Sequence, residues 1–140
     1  MKVEKLANQF YGVNLLLSKI NLKTERAWSL YYIVENTTDK EFIEKEALQT
    51  VLLVNTYSRE FHFYGKQAQL WENAFDLADV AIRPAASDEE IALTMVYRNL
   101  DDFIDNLQEE IAEREFVSRD IYLIYDDETL YKHILTKLKY

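Results

Sequence analysis

Seven carboxylates and one arginine lie between Asn99 and Glu115, in the stretch NLDDFIDNLQEEIAERE. Asp101, Asp105 and Glu109 recur every four residues, and Asp102 and Glu113 flank the same polar side, so on a helix the five carboxylates share one face. Three chemistries suit such a face. It can be the wetted side of an amphipathic helix, where Asp and Glu are ordinary. It can dock on a basic partner, and the missing lysines speak for this, because an ordinary surface helix mixes both signs and gains i,i+4 pairs from doing so. It can also hold Mg²⁺ or Mn²⁺, which favour carboxylate oxygens, although a metal set has to turn inward and these residues lie opposite an apolar stripe.

Glu72, Asp76 and Asp79 repeat the pattern opposite Trp71, Phe75 and Ala78. If both acidic helices face the same way, they form one broad anionic surface that imitates the phosphate charge of a duplex. Imidazoles are limited to His62 and His133, so a histidine metal site would borrow most of its ligands from carboxylates. His62, in REFHFYG among Phe61, Phe63 and Tyr64, reads as a packed structural histidine; Ser58 lies nearby in sequence, but no oxyanion-hole element accompanies the pair.

Glu109, Glu110, Ile111, Ala112 and Glu113 resemble the EExxE half of the motif of all-α nucleotide pyrophosphatases of the MazG type. The resemblance covers five residues and implies a divalent-metal-dependent nucleotide hydrolase using Glu109, Glu110 and Glu113. That family carries a downstream ExxD on another helix, and the later acids Glu115, Asp120, Asp126, Asp127 and Glu128 do not make one. No catalytic, cofactor-binding or metal residue is assigned, and no cofactor is expected.

The chain that must position these groups has 140 residues, 49% hydrophobic and 14% aromatic, which is material for a single domain over 1–140 with one core. Cysteine is absent, which removes disulfides, thiolate catalysis and the common structural zinc sites. Only Gly12, Gly65 and Pro84 are available as turn formers, so a P-loop, a dinucleotide fingerprint and a nucleophile elbow, all built on clustered glycines, are excluded. No apolar run approaches the roughly 18 to 20 residues of a membrane span, and the N-terminus lacks a continuous signal-peptide core, so a cytoplasmic location is expected.

Charge is uneven. The formal total is -9, yet Glu72 to Glu128 holds 17 acids against Arg83, Arg98, Arg114 and Arg119. Both ends are basic, with Lys2, Lys5, Lys19, Lys23 and Arg26 at one and Lys132, Lys137 and Lys139 at the other. Such a middle repels nucleic acid and anionic membrane.

Spacing predicts helices almost throughout. Val3, Leu6, Phe10, Val13, Leu17 and Ile20 form a heptad-like seam. ERAWSLYYIVEN reads as a short helix behind Thr24, with a strand as the alternative. Thr38 and Glu41 make a capping box for a helix from about Asp39 whose apolar positions run to Phe61, and Leu70 to Ile82 form the next. Ser87 and Glu90 cap a helix through Leu93, Val96, Leu100, Phe103 and Leu107 to about Ala112. DIYLIY is ambiguous, and a last helix follows Asp126 or Asp127. The sum is an all-α domain, an irregular or antiparallel bundle of five to six helices; the alternative is α+β with short strands near 27–34 and 120–125.

The function expected from this reading is a small acidic, non-catalytic binding protein. It would act as an inhibitor, immunity protein or antitoxin, placing Asp101, Asp102, Asp105, Glu109 and Glu113 on a basic, nucleic-acid-binding surface of a protein partner. Direct contact with nucleic acid or membrane is not expected. The alternatives are the all-α nucleotide hydrolase above, and a structural subunit of an oligomer whose ten tyrosines supply contact area, a homodimer included.

Overall fold

AWSLYYI and RDIYLIY carry aromatic and branched side chains at nearly every position, a composition that fits a strand covered on both faces. A computed structural model describes residues 3–17, 27–52, 59–82 and 93–140. In it these two segments are the central strands of a six-stranded sheet flanked by four helices, so the protein is mixed α/β and not an all-α bundle. The elements are β1 (Val3–Ala7), β2 (Phe10–Asn14), β3 (Ala27–Ile33), α1 (Lys40–Leu52), β4 (Arg59–Tyr64), α2 (Ala68–Ile82), β5 (Leu93–Tyr97), α3 (Leu100–Glu113), β6 (Arg119–Tyr125) and α4 (Glu128–Lys137).

The strand order is β1-β2-β6-β3-β4-β5, parallel throughout except for the β1–β2 hairpin. Parallel neighbours need crossover connections, and helices supply them, which is why the sheet has a helical layer on each side. On one face α1 and α2 bury Ile43, Ala47, Val51, Trp71 and Phe75 against Trp28, Leu30, Tyr32, Phe61 and Phe63. On the other, α3 and α4 bury Phe103, Leu107, Ile111, Tyr131 and Ile134 against Phe10, Tyr31, Ile33, Ile121 and Leu123. Rings pack stacked, tilted or edge-on, as with Phe63 and Phe75, edge-on at 5.1 Å between centroids, and such pairs add about 0.5–1.5 kcal/mol each beyond the area they bury.

Four expectations are corrected here. The seam from Val3 is the β1–β2 hairpin, turned at Gln9 with φ 60° and no glycine. Ala27–Ile33 is strand, as the alternative reading had it. The helix from Asp39 is described over Lys40–Leu52 and does not reach Phe61, which belongs to β4; its cap is Asp39, whose side chain accepts from the Phe42 N–H at 3.2 Å. Leu93 and Val96 lie in β5, so α3 begins only at Leu100, capped by Asn99; Ser87 and Glu90 lie outside the described residues. Leu70–Ile82 and the helix after Asp127 stand as expected, and DIYLIY is strand. Among the described residues no helix is long and apolar enough to cross a membrane.

After β3 the chain passes into α1 on one face, and after β6 into α4 on the other, so the C-terminal ends of these adjacent strands form a topological switch point.

Candidate functional site

Parallel register sets matching residues of adjacent strands side by side. On the face under α3 it aligns Ser29 with Glu60 and Tyr31 with His62. Tyr97 of β5, Arg119 of β6, and Asn106 and Glu110 of α3 close on the same point. Ser29, Tyr31 and His62 are fully buried. Glu60, Glu110 and Arg119 keep 21%, 17% and 15% of their side-chain surface.

Charge in such a place is tolerated only when paired and hydrogen-bonded, and here all four carboxylate oxygens have donors or an imidazole. Glu60 Oε1 meets His62 Nε2 at 2.8 Å, and Glu60 Oε2 takes Arg119 Nη1 at 3.1 Å. Glu110 Oε1 accepts from Ser29 Oγ at 2.9 Å, and Glu110 Oε2 accepts from the Tyr31 hydroxyl. Asn106 Nδ2 donates to the Tyr31 oxygen at 2.6 Å, and Arg119 also donates to Ser29 Oγ at 3.0 Å. His62 Nδ1 lies 2.8 Å from the Tyr97 oxygen, and the imidazole stacks on Tyr31 at 4.1 Å with 3° between planes.

The two carboxyl groups are driven in opposite directions. The hydrogen bond from His62, with help from the charges of His62 and Arg119, holds Glu60 below the usual carboxylate range against the opposing effect of burial. Burial and the neighbouring Glu60 charge push Glu110 up, although Tyr31 and Ser29 bond to it. Tyr31 and Tyr97 are pushed above the usual phenol range, first by burial and then by the carboxylates. Glu60, His62 and Glu110 also offer three ligand atoms within 4.8 Å of one another, the spacing of a donor set for a small cation.

The residues singled out from sequence sit elsewhere on α3. Asp101, Asp102, Asp105, Glu109 and Glu113 are all exposed, on the side away from the sheet. Asp102 bonds to the helix cap Asn99, and none of the five has an ion pair among the described residues. Glu110 turns inward while Glu109 and Glu113 turn out, so the three glutamates of the EExxE resemblance do not converge. The broad surface built from two acidic helices is likewise overturned. α2 packs on the opposite face of the sheet from α3, its Asp79 is buried, and its Asp76 accepts from Thr94 Oγ1 at 2.9 Å.

The sequence reads His62 foremost as a packed side chain and allows a histidine metal site only with borrowed carboxylates, without pointing to Ser29, Tyr31, Glu60 or Arg119 as its neighbours. The signal was present in REFHFY, where Glu60, His62 and Tyr64 alternate with Phe61 and Phe63, the period of a strand with one polar and one aromatic face.

Open α/β sheets usually bind ligands at the switch point. Here Asp126 fills it. Its carboxylate accepts from the backbone N–H groups of Glu35 (2.8 Å), Asn36 (3.0 Å) and Thr37 (2.8 Å) and from Thr37 Oγ1 (2.8 Å), so the donors that would cradle a phosphate are engaged internally. No protein-family model matches the chain, nor does any curated protein or solved structure.

Proposed function

We propose that this protein binds a basic surface of a partner protein through the outer face of α3, in the manner of an inhibitor, immunity protein or antitoxin, without chemistry of its own at that face. The observation that carries the reading is the joint exposure of Asp101, Asp102, Asp105, Glu109 and Glu113 with no cation of the described chain paired to any of them. Asp101, Asp105, Glu109 and Glu113 form an i+4 row, spaced by about 6 Å along the axis and about 18 Å from end to end. A partner whose groove is built for phosphate offers the matching cations. His133 and Lys137 of α4 border the row beside Asp101 and Asp105, so the partner's cations meet it from its solvent side.

Attraction of this kind steers encounter and is screened by salt. The test is capture from a cytosolic extract at low and high salt by the parent chain and by the double variant Asp105→Lys, Glu109→Lys. The expected result is a salt-sensitive partner for the parent that the variant fails to capture. Thermal stability should change little, because exposed substitutions of this type cost within about 0.5 kcal/mol. Equal capture by both chains removes the proposal.

A further inference from the structure

The geometry points to a second site, independent of the α3 face: a divalent transition-metal centre formed by His62 Nε2, Glu60 Oε1 and Glu110 Oε2. These three residues come from alternate positions of β4 and from the inner side of α3, and their ligand atoms lie within 4.8 Å of one another. A tetrahedral ion with bonds of about 2.1 Å holds its ligands roughly 3.4 Å apart. Nε2 lies 2.8 Å from Glu60 Oε1 and 3.9 Å from Glu110 Oε2, on either side of that separation.

What distinguishes this group from a chance cluster of acids is the shell around it. Ligating histidines characteristically engage their second nitrogen with an outer partner, and ligating carboxylates are themselves hydrogen-bonded. Each ligand here is held from outside by a different residue. Tyr97 oxygen sits 2.8 Å from His62 Nδ1, Arg119 holds the outer oxygen of Glu60 at 3.1 Å, and Ser29 holds the outer oxygen of Glu110 at 2.9 Å. Glu60 Oε1 and His62 Nε2 thereby face each other, and Glu110 Oε2, which also accepts from the Tyr31 hydroxyl, lies 3.9 Å from Nε2. His62 is buried and stacked on Tyr31, which fixes its ring plane.

Binding needs Nε2 without its proton. The neutral imidazole then carries its hydrogen on Nδ1 and donates it to the Tyr97 oxygen, whose own hydroxyl turns to Met95 Sδ at 3.7 Å. No proton is lost from the ring in that tautomer change. One imidazole nitrogen with two carboxylate oxygens suits Zn²⁺, Co²⁺ or Mn²⁺ better than Mg²⁺. Three protein ligands leave a position for water, and the partial exposure of Glu60 and Glu110 leaves a way in.

The experiment titrates the full chain with Co²⁺ and Zn²⁺. The parent should take up one equivalent of Co²⁺ with a visible absorption band, and Zn²⁺ should displace it and raise the melting temperature. Glu110→Gln and Glu60→Gln, which keep side-chain volume, should each weaken Zn²⁺ binding by at least about 10-fold. His133→Gln, which alters the exposed second histidine, should leave it unchanged. Because the chain has two histidines, the imidazole ¹⁵N spectrum gives a readout that survives if a carboxylate variant fails to fold: Zn²⁺ should move the Nε2 resonance of His62 and not those of His133. Absence of saturable binding, binding lost in His133→Gln, or a His62 resonance unmoved by saturating Zn²⁺ would each overturn the site.

Discussion

At Gly65 the chain leaves β4 for α2 with φ 124°, and a Cβ there would run into the backbone carbonyl of Val34. Only glycine meets both demands at low cost. Gly65→Ala should therefore lower stability by about 1–3 kcal/mol, read as a fall in the urea midpoint at unchanged slope. Gln9 and Ser118 adopt positive φ (60° and 52°) without being glycine. For Gln9 the reason is visible: its side-chain amide donates to the carbonyls of Arg114 and Arg119, both at 3.0 Å, and so ties the hairpin turn to the chain entering β6. The other glycine, Gly12, lies in β2 where a Cβ would overlap the Tyr131 hydroxyl; its absence of a side chain lets Tyr131 lie across the strand and donate to Glu4 at 2.7 Å.

Among the elements, the helices with an exposed polar side were legible; the two strands buried on both faces were offered only as the alternative to helix, and β1, β2, β4 and β5 were absorbed into helical patterns. Leu70 to Ile82 shows the 3.6-residue period because α2 presents one side to the sheet and the other to water. Asp127 announces α4 by accepting from the Leu130 N–H at 2.9 Å. β3 and β6 have no polar side, so period 2 is erased and any spacing of three or four finds an apolar residue. The turn that would have broken the seam from Val3 is made at Gln9, a residue that carries little turn signal. For the candidate sites, the outward set on α3 followed from helical spacing alone. The inward set depends on strand register between Ser29 and Glu60 and between Tyr31 and His62, a relation across some thirty residues of sequence that no local pattern records.

Over the whole molecule, the tyrosines of the described residues divide by environment. Burial first, and then the Glu46 charge, push Tyr32 well above the usual 10.0; burial, with the hydrogen bond and charge of Glu4, does the same to Tyr131. Groups raised in this way contribute stability that is fully present below about pH 10 and is lost as pH climbs past it, because the unfolded chain releases protons that the folded chain retains. An alkaline titration followed by tyrosinate absorbance should show Tyr32 and Tyr131 ionising only in a cooperative step, together with loss of circular dichroism. Ionisation of Tyr32 and Tyr131 with the fold intact would contradict this. The two halves of the sheet are bolted at the seam by Asp126, and a bolt can be drawn. Asp126→Gly would leave the amides of Glu35, Asn36 and Thr37 facing a vacancy of an oxyanion's size and charge preference. Sulfate or phosphate added to that variant should restore part of its lost melting temperature while leaving the parent unmoved, turning a self-sealed protein into an anion receptor by one substitution.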